Sequence, residues 1–427
     1  MAEHIVEENH IARELAHHFS GPLVFDYVWW VLTESQRRNI KTLYFLARDG
    51  YVLREIAELF SKHFNLNIDC RYLYCSRVAL RTPSYHLLST NEIYHLLLLG
   101  GYQVTLKSLL QRAGLNDDEC SLVYSECGFD RNTENTLLTR TELAAVKEKI
   151  KHSKIYYSLI MEKSKEAYKN AIGYFEQEGL LGSSQIAIVD SGWTGSMQRS
   201  LRQLLRSAGY RGSFIGFYFG MYQEPKDSED GTYLTYFFNW QKNIPQKICF
   251  CNNLFECILS APHGMTIGYE KNGRNYEPKL LPPRPEHEQS IIVKQIEEIC
   301  EYAKSKVKEV TFGQFDETKA KKTAFALIRR YMAHPRKEEA LFYGGIQFCD
   351  DITEAYHCTL ASETQLSALK GYSIPKRILR RLRKSHSDVV LPELFWPYGT
   401  MAFLPQWKQI WYRLNVYTWE LLRYVMR

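Results

Sequence analysis

The chain has 427 residues, 45% of them hydrophobic and 14% aromatic, and a formal charge of +6; that supplies substantial cores for two to three domains and excludes a low-complexity chain. Ten cysteines stand without a CxxC pair or a metal-ligand spacing, so reduced thiols are expected rather than a zinc module or a disulfide framework. The opening MAEHIVEENH is polar and acidic, and no apolar run reaches the roughly 18 residues that span a bilayer, so neither a signal peptide nor a transmembrane helix is read and a cytoplasmic location is expected.

Residues 10–40 read as helix, with Trp29, Trp30 and Leu32 packing ahead of the first strand. The next stretch, TLYFLARDGYVLREIAELF from Thr42 to Phe60, places an apolar strand at Leu43–Leu46, a charged turn at Arg48-Asp49-Gly50, and a helix whose buried face is Leu53, Ile56, Ala57 and Phe60. A further strand, Cys70–Cys75, ends in Ser76-Arg77. From Thr90 to Leu181 the pattern is helical, and residues 85–181 read as an insertion above a sheet.

The strand–turn–helix plan returns in IAIVDSGWTGSMQRSLRQLL, Ile186 to Leu205. Ile186–Val189 read as a buried strand, and Met197, Leu201, Leu204 and Leu205 recur at helical spacing. Between them Asp190, Ser191, Gly192, Thr194, Gly195 and Ser196 form a turn that aims backbone N–H groups and the positive end of a helix dipole at one point. The residue types suit a phosphate, with Thr and Ser hydroxyls as added donors and Asp190 at the strand tip placed for sugar hydroxyls or a metal. Neither the P-loop nor the GxGxxG fingerprint is present, and a ligand-free turn of an α/β protein is the alternative reading. Two such units predict a parallel sheet.

Ser213–Tyr222 reads as another strand, residues 223–248 as polar with aromatic patches, and Pro282, Pro283 and Pro285 as a boundary before two charged helices between 287 and 334. Residues 1–84 and 182–280 thus form an α/β core, and residues 281–427 a mainly helical C-terminal region. From Lys370 to Arg427 there are eleven Lys or Arg against three acids, including Lys376, Arg377, Arg380, Arg381, Arg383 and Lys384. Trp396, Tyr398, Phe403, Trp407, Trp411, Tyr412 and Tyr417 follow. Basic residues beside Trp and Tyr suit an anionic membrane surface, which would place the protein peripherally on the inner face of the cytoplasmic membrane. Nucleic acid is a competing partner, disfavoured here, and a solvated helical face is the bland alternative.

The 186–196 segment resembles the phosphoribosyl pyrophosphate (PRPP) loop of type I phosphoribosyltransferases: Ile186–Val189 match its apolar run, Asp190 its first acid, and Thr194-Gly195-Ser196 its phosphate turn. Ser191 stands where that family has a second acid, and the loop is one residue shorter. A narrower resemblance rests on LYFLARDG, RYLYCSR, VDSGWTGSMQ and ECILSAPHG, which occur in this order in bacterial surface-polysaccharide proteins labelled predicted haloacid-dehalogenase-type hydrolases. It covers approximately residues 20 to 350, and this chain is similar to their non-phosphatase half. In the chain itself a single Asp49 follows the first strand, without the DxD pair that a phosphatase of that type needs.

The resemblance implies a type I phosphoribosyltransferase sheet and a glycosyltransferase that moves ribose 5-phosphate from PRPP to a lipid-linked glycan acceptor in O-antigen or capsule synthesis. A separate haloacid-dehalogenase-type phosphatase would then remove the 5-phosphate. Donor contacts implied are Arg48, Asp49, Gly50 and Arg77 for the diphosphate, and Asp190, Ser191, Gly192, Thr194, Gly195 and Ser196 for the ribose phosphate. Mg²⁺ is the implied cofactor, with Asp190 and Asp49 as its contacts, partly through water. Asp190 is a candidate to stabilise the oxocarbenium-like sugar, and Asp49, Glu256 and His263 are candidates to handle the acceptor proton. A nucleobase phosphoribosyltransferase and a non-catalytic binding protein on the same scaffold are the alternatives.

Overall fold

The structure, a computed structural model, describes residues 2–99, 104–226, 230–348, 358–375 and 394–425, with side chains from Asn9 to Tyr424. Five strands, β1 (Thr42–Leu46), β2 (Asp69–Leu73), β3 (Gln185–Trp193), β4 (Ser213–Met221) and β5 (Thr232–Phe238), pair in parallel in the order β2-β1-β3-β4-β5. The chain is therefore an α/β protein with an all-parallel sheet, as the repeated strand–turn–helix plan predicts. Helices α1 (Ala2–Leu15) and α2 (Gly21–Arg37) precede β1, α3 (Gly50–His63) joins β1 to β2, and α4 (Arg77–Arg81) follows β2. Helices α5 (Thr90–Leu97), α6 (Leu106–Gln111), α7 (Asp117–Cys127), α8 (Arg140–Lys151) and α9 (Lys154–Gln177) fill the interval to β3. After β3 come α10 (Ser196–Ser207), α11 (Ile244–Cys249), α12 (Asn252–Leu259) and an antiparallel hairpin, β6 (Thr266–Asn272) and β7 (Asn275–Leu280). The last helices are α13 (Glu286–Lys306), α14 (Glu317–Ile328), α15 (Lys337–Gly344), α16 (Pro397–Met401) and α17 (Gln406–Val425).

Strand alternation explains why the sheet is covered on both faces. Leu43, Phe45, Ala187 and Val189 enter a core shared with α2, α3, α13 and α14, while Tyr44, Leu46, Ile186 and Ile188 enter a second core with α9 and α10. The insertion closes a third core of its own, from Tyr85 and Ile93 through Leu109 and Val123 to Ile160. Capping boxes at Ser89, Asn116 and Thr139 start its helices.

Four sequence expectations are corrected. The strand read as ending at Val189 runs on to Trp193, because β4 continues to pair with it through Gly192↔Gly220 and Trp193↔Met221. The strand read as Cys70–Cys75 ends at Leu73. Residues 223–248 contain β5, whose TYLTYFF run is β-branched and aromatic enough for an edge strand despite its polar flanks. Trp396 and Tyr398, read with the surface aromatics of the tail, are buried, and Trp396 Nε1 donates to the Met332 carbonyl at 2.8 Å. The basic cluster from Lys376 to Lys384 lies outside the described residues.

Asp26 on α2 lies near Lys306 of the packed helix α13, and burial lifts its pKa to about 6 against the weaker opposing pull of that lysine. A carboxyl whose folded pKa exceeds its unfolded one stabilises the fold at low pH, and that contribution is lost as pH rises through about 6. Asp26→Asn removes the loss. Urea denaturation should show the variant gaining on the native chain between pH 5 and pH 8, by about 1.4 kcal/mol. A pH-independent difference would count against a buried Asp26 carboxyl.

Candidate active site

The strand order places a reversal between β1 and β3: from β1 the chain steps outward to β2, and from β3 it steps the other way to β4 and β5. The loops leaving the carboxyl ends of β1 and β3 diverge there and open a crevice, the place where open parallel sheets bind ligands. Arg48 and Asp49 follow β1, and Asp190 and Ser191 lie near the end of β3.

Within the crevice the Ser191 hydroxyl donates to Asp49 Oδ2, and the Ser191 backbone N–H donates to Asp190 Oδ1 at 3.0 Å. Beneath them, the buried Tyr27 hydroxyl donates to the Asp190 carbonyl at 2.8 Å, fixing the strand tip. Ser191 therefore ties the two acids together without adding a third negative charge. Burial raises the pKa of Asp49, while the Ser191 hydrogen bond and the charges of Arg48 and Arg77 oppose the rise. Burial raises the pKa of Asp190 as well, with the charges of Asp49 and Glu256 adding to it and the Ser191 N–H and Arg77 opposing. Two like charges in one low-dielectric crevice resist joint ionisation, so the pair titrates as a unit.

The turn after β3 is Trp193-Thr194-Gly195, with Thr194 exposed and Ser196 opening α10. Gly195 has φ +67, and no side chain caps the helix, so its first N–H groups are left to solvent or a ligand. On the flank of α10, burial lowers the pKa of Arg81, and the neighbouring charges of Arg77 and Arg199 lower it further. Arg81 thus feels two further cations, one on its own helix and one on α10, which packs against it. Sequence reasoning named Arg77 but missed Arg81 and Arg199, which lie on helices whose pattern reads as ordinary amphipathic surface.

Glu256 on α12 reaches the same crevice: its Oε1 accepts from Trp193 Nε1 at 2.6 Å, and its charge is felt at Asp190. Trp193, unremarked in the sequence, adopts φ +81 and packs on Phe250 with ring centroids 5.2 Å apart. A second cleft, of about 290 Å³, opens beside Arg48 and is lined by His263, Gly264, Pro282, Arg284 and Glu288. His263 Nδ1 donates to the Gly264 carbonyl at 2.8 Å, which leaves Nε2 to accept the Tyr72 hydroxyl at 2.7 Å. Burial lowers the His263 pKa and Arg48 lowers it further, so the ring is neutral with its lone pair already engaged. That geometry makes His263 a wall of the cleft rather than a base.

The structure thus gathers Arg48, Asp49, Arg77, Asp190, Ser191, Thr194, Gly195, Ser196 and Glu256 around one crevice and places His263 next door. Gly50 and Gly192 act otherwise than the sequence suggests. Gly50 is the first residue of α3, where a Cβ would meet the Phe45 carbonyl carbon at 2.6 Å, and Gly192 is a strand residue against Gly220. Among the described residues no three His, Cys, Asp or Glu side chains are grouped as a metal site of the protein's own. Two carboxylates at the crevice do fit Mg²⁺, which is held by one or two carboxylates together with substrate phosphates. No protein-family model matches the chain, and no curated protein matches it, so the chemistry is read from the crevice itself.

Proposed function

We propose that this chain is a PRPP-dependent glycosyltransferase built on a type I phosphoribosyltransferase-like sheet, with the helical insertion and the C-terminal helices arranged around the crevice. The observation that carries the reading is the pairing, at the β1/β3 reversal, of two acids on which the charges of Arg48 and Arg77 act with a helix N-terminus that no side chain caps. A phosphorylated sugar with two hydroxyls and a diphosphate leaving group presents that set of charges in reverse. The adjoining cleft on the other side of Arg48 gives an acceptor its own approach.

In this reading Thr194, Gly195 and Ser196 hold the 5-phosphate, and Arg48 and Arg77 hold the diphosphate. Asp190, and Asp49 through water, would hold Mg²⁺, which would neutralise diphosphate charge. The acceptor hydroxyl oxygen bonds to C1 of the ribose as the C1–O bond to pyrophosphate breaks and the leaving group takes the electron pair, so an α donor yields a β-ribofuranoside. Asp190 stabilises the positive character of the sugar ring through its hydroxyls. Asp49, whose raised pKa brings it closer to working pH than an ordinary carboxylate, takes the acceptor proton, an effect on the order of 10²–10⁴ in rate. The product keeps its 5-phosphate, and a separate phosphatase removes it: Ala47 stands two residues before Asp49, where a phosphatase of the haloacid-dehalogenase type would carry its nucleophile.

Pyrophosphate release from PRPP with Mg²⁺, followed with and without a synthetic or lipid-linked glycan, tests the proposal. Acceptor-dependent release and a phosphoribosylated glycan in the mass spectrum are the expected result. Calorimetry showing no donor binding would overturn it and leave an interaction protein on an α/β scaffold.

A further inference from the structure

Helix α17 is docked on one side only. Its inner face is held by Asn415, whose Oδ1 accepts from the Ile374 N–H at 3.0 Å, by buried Val416, and by Lys247, whose Nζ lies 5.3 Å from the centre of the Tyr424 ring. Its outer face carries Trp407 (69% exposed), Ile410 (67%), Leu414 (63%), Trp411 (44%), Leu422 (43%) and Leu421 (37%). At about 100° per residue these six side chains fall within one stripe of roughly 120°. Scattered exposed leucines are ordinary, whereas a continuous stripe of this kind marks a docking surface.

We propose that this stripe is an in-plane membrane anchor that seats the protein on an anionic lipid surface. No helix among the described residues is long and apolar enough to cross a membrane, so α17 lies on the bilayer with its stripe among the acyl chains. The charge of the helix selects the occupant. Helix α17 carries Lys408, Arg413 and Arg423 against the single acid Glu420, with Lys408 and Arg423 exposed. Such a surface attracts anionic headgroups and repels a second copy of itself. Nucleic acid would satisfy the charge and leave the tryptophans and leucines in water.

The anchor is also close to the crevice. Tyr222 feels the charge of Glu420 on one side, and on the other its ring lies 5.9 Å from that of Trp193, the residue hydrogen-bonded to Glu256. One aromatic layer separates the docked helix from the candidate active site. If the transferase reading holds, a lipid-linked acceptor lying in the membrane meets the crevice at that boundary; this clause rests on that reading, and membrane docking does not.

Sedimentation of the full chain with vesicles of phosphatidylcholine, with and without phosphatidylglycerol, tests the anchor. Binding to the anionic vesicles, weakened by salt, is expected. The double variant Trp407→Glu, Leu414→Glu should reduce partitioning on the order of tenfold or more while its melting temperature stays unchanged. Should that variant fold poorly, tryptophan emission provides a second measure: a blue shift of the native chain on anionic vesicles, lost in Trp407→Phe, Trp411→Phe. Equal sedimentation of native and double-variant protein overturns the proposal. So does a concentration-dependent dimer that the double variant disrupts without any vesicle binding. Pyrophosphate release onto a soluble acceptor should be the same in native and variant protein, so failure of the anchor and failure of the transferase reading are separable.

Discussion

Asp190→Asn is expected to lower phosphoribosyl transfer on the order of 10²–10³-fold while leaving the fold intact. The Asn side chain is nearly isosteric and can still accept the Ser191 N–H, and the contact from Tyr27 goes to the backbone carbonyl, which the substitution keeps. What it removes is the carboxyl facing the crevice and, with it, the member of the pair whose pKa burial and the Asp49 charge raise together. The variant therefore carries a second signature. A cation-assisted donor binds best when the pair has lost its proton, so native donor affinity should rise with pH, and in Asp190→Asn the rise should move to lower pH. Calorimetric titrations over a pH series read both. Full turnover in the variant, or an unmoved pH profile with normal affinity, would remove Asp190 from the site.

Gly192→Ala should act by a different route. Gly192 has φ +122, and a Cβ there would stand 2.2 Å from the Gly220 carbonyl oxygen, a backbone atom that cannot swing aside. Strain at such a φ costs about 1–3 kcal/mol on its own, and the clash separates β3 from β4 at their last paired residues, so a loss above roughly 3 kcal/mol is expected in urea denaturation. Thr194→Ala is the contrast. Thr194 is exposed, so stability should stay within about 0.5 kcal/mol, while donor affinity falls by roughly tenfold for one lost hydrogen bond to a charged phosphate. A stable Gly192→Ala protein that had lost only donor binding would return Gly192 to the phosphate turn.

The strands at β1 and β3 and the helix openings at Gly50 and Ser196 were legible because buried parallel strands are short apolar runs and the turns after them carry Gly with charged or hydroxyl residues. Ser191, a departure from the resembled pattern, becomes intelligible only in three dimensions, where its hydroxyl reaches Asp49 across the strand boundary. Trp193 was invisible as a site residue because its role depends on a left-handed backbone and on Glu256, which comes from a helix far along the chain. Arg81 and Arg199 escaped for a similar reason: a guanidinium on an amphipathic helix looks solvated until a second helix brings another beside it. The tail misled in part, since Trp396 and Tyr398 share the composition of Trp407 and Trp411 but point into the core.

The bond between Ser191 and Asp49 joins residues 142 positions apart, and this sets the order in which the protein can become competent. During synthesis the insertion can assemble its own core from nearby segments well before β3 has left the ribosome, because those contacts are local. The crevice cannot. Its first half, Arg48 and Asp49, waits through the whole excursion for the second, and closing a loop that long adds little free-energy cost, because the cost grows only as the logarithm of length, while it adds considerably to the search. Under the proposed transferase reading, a nascent or truncated chain that stops short of β3 would carry folded helices and the early arginines without the second half of the crevice. Competence arrives in one late event, when β3 slots between β1 and β4.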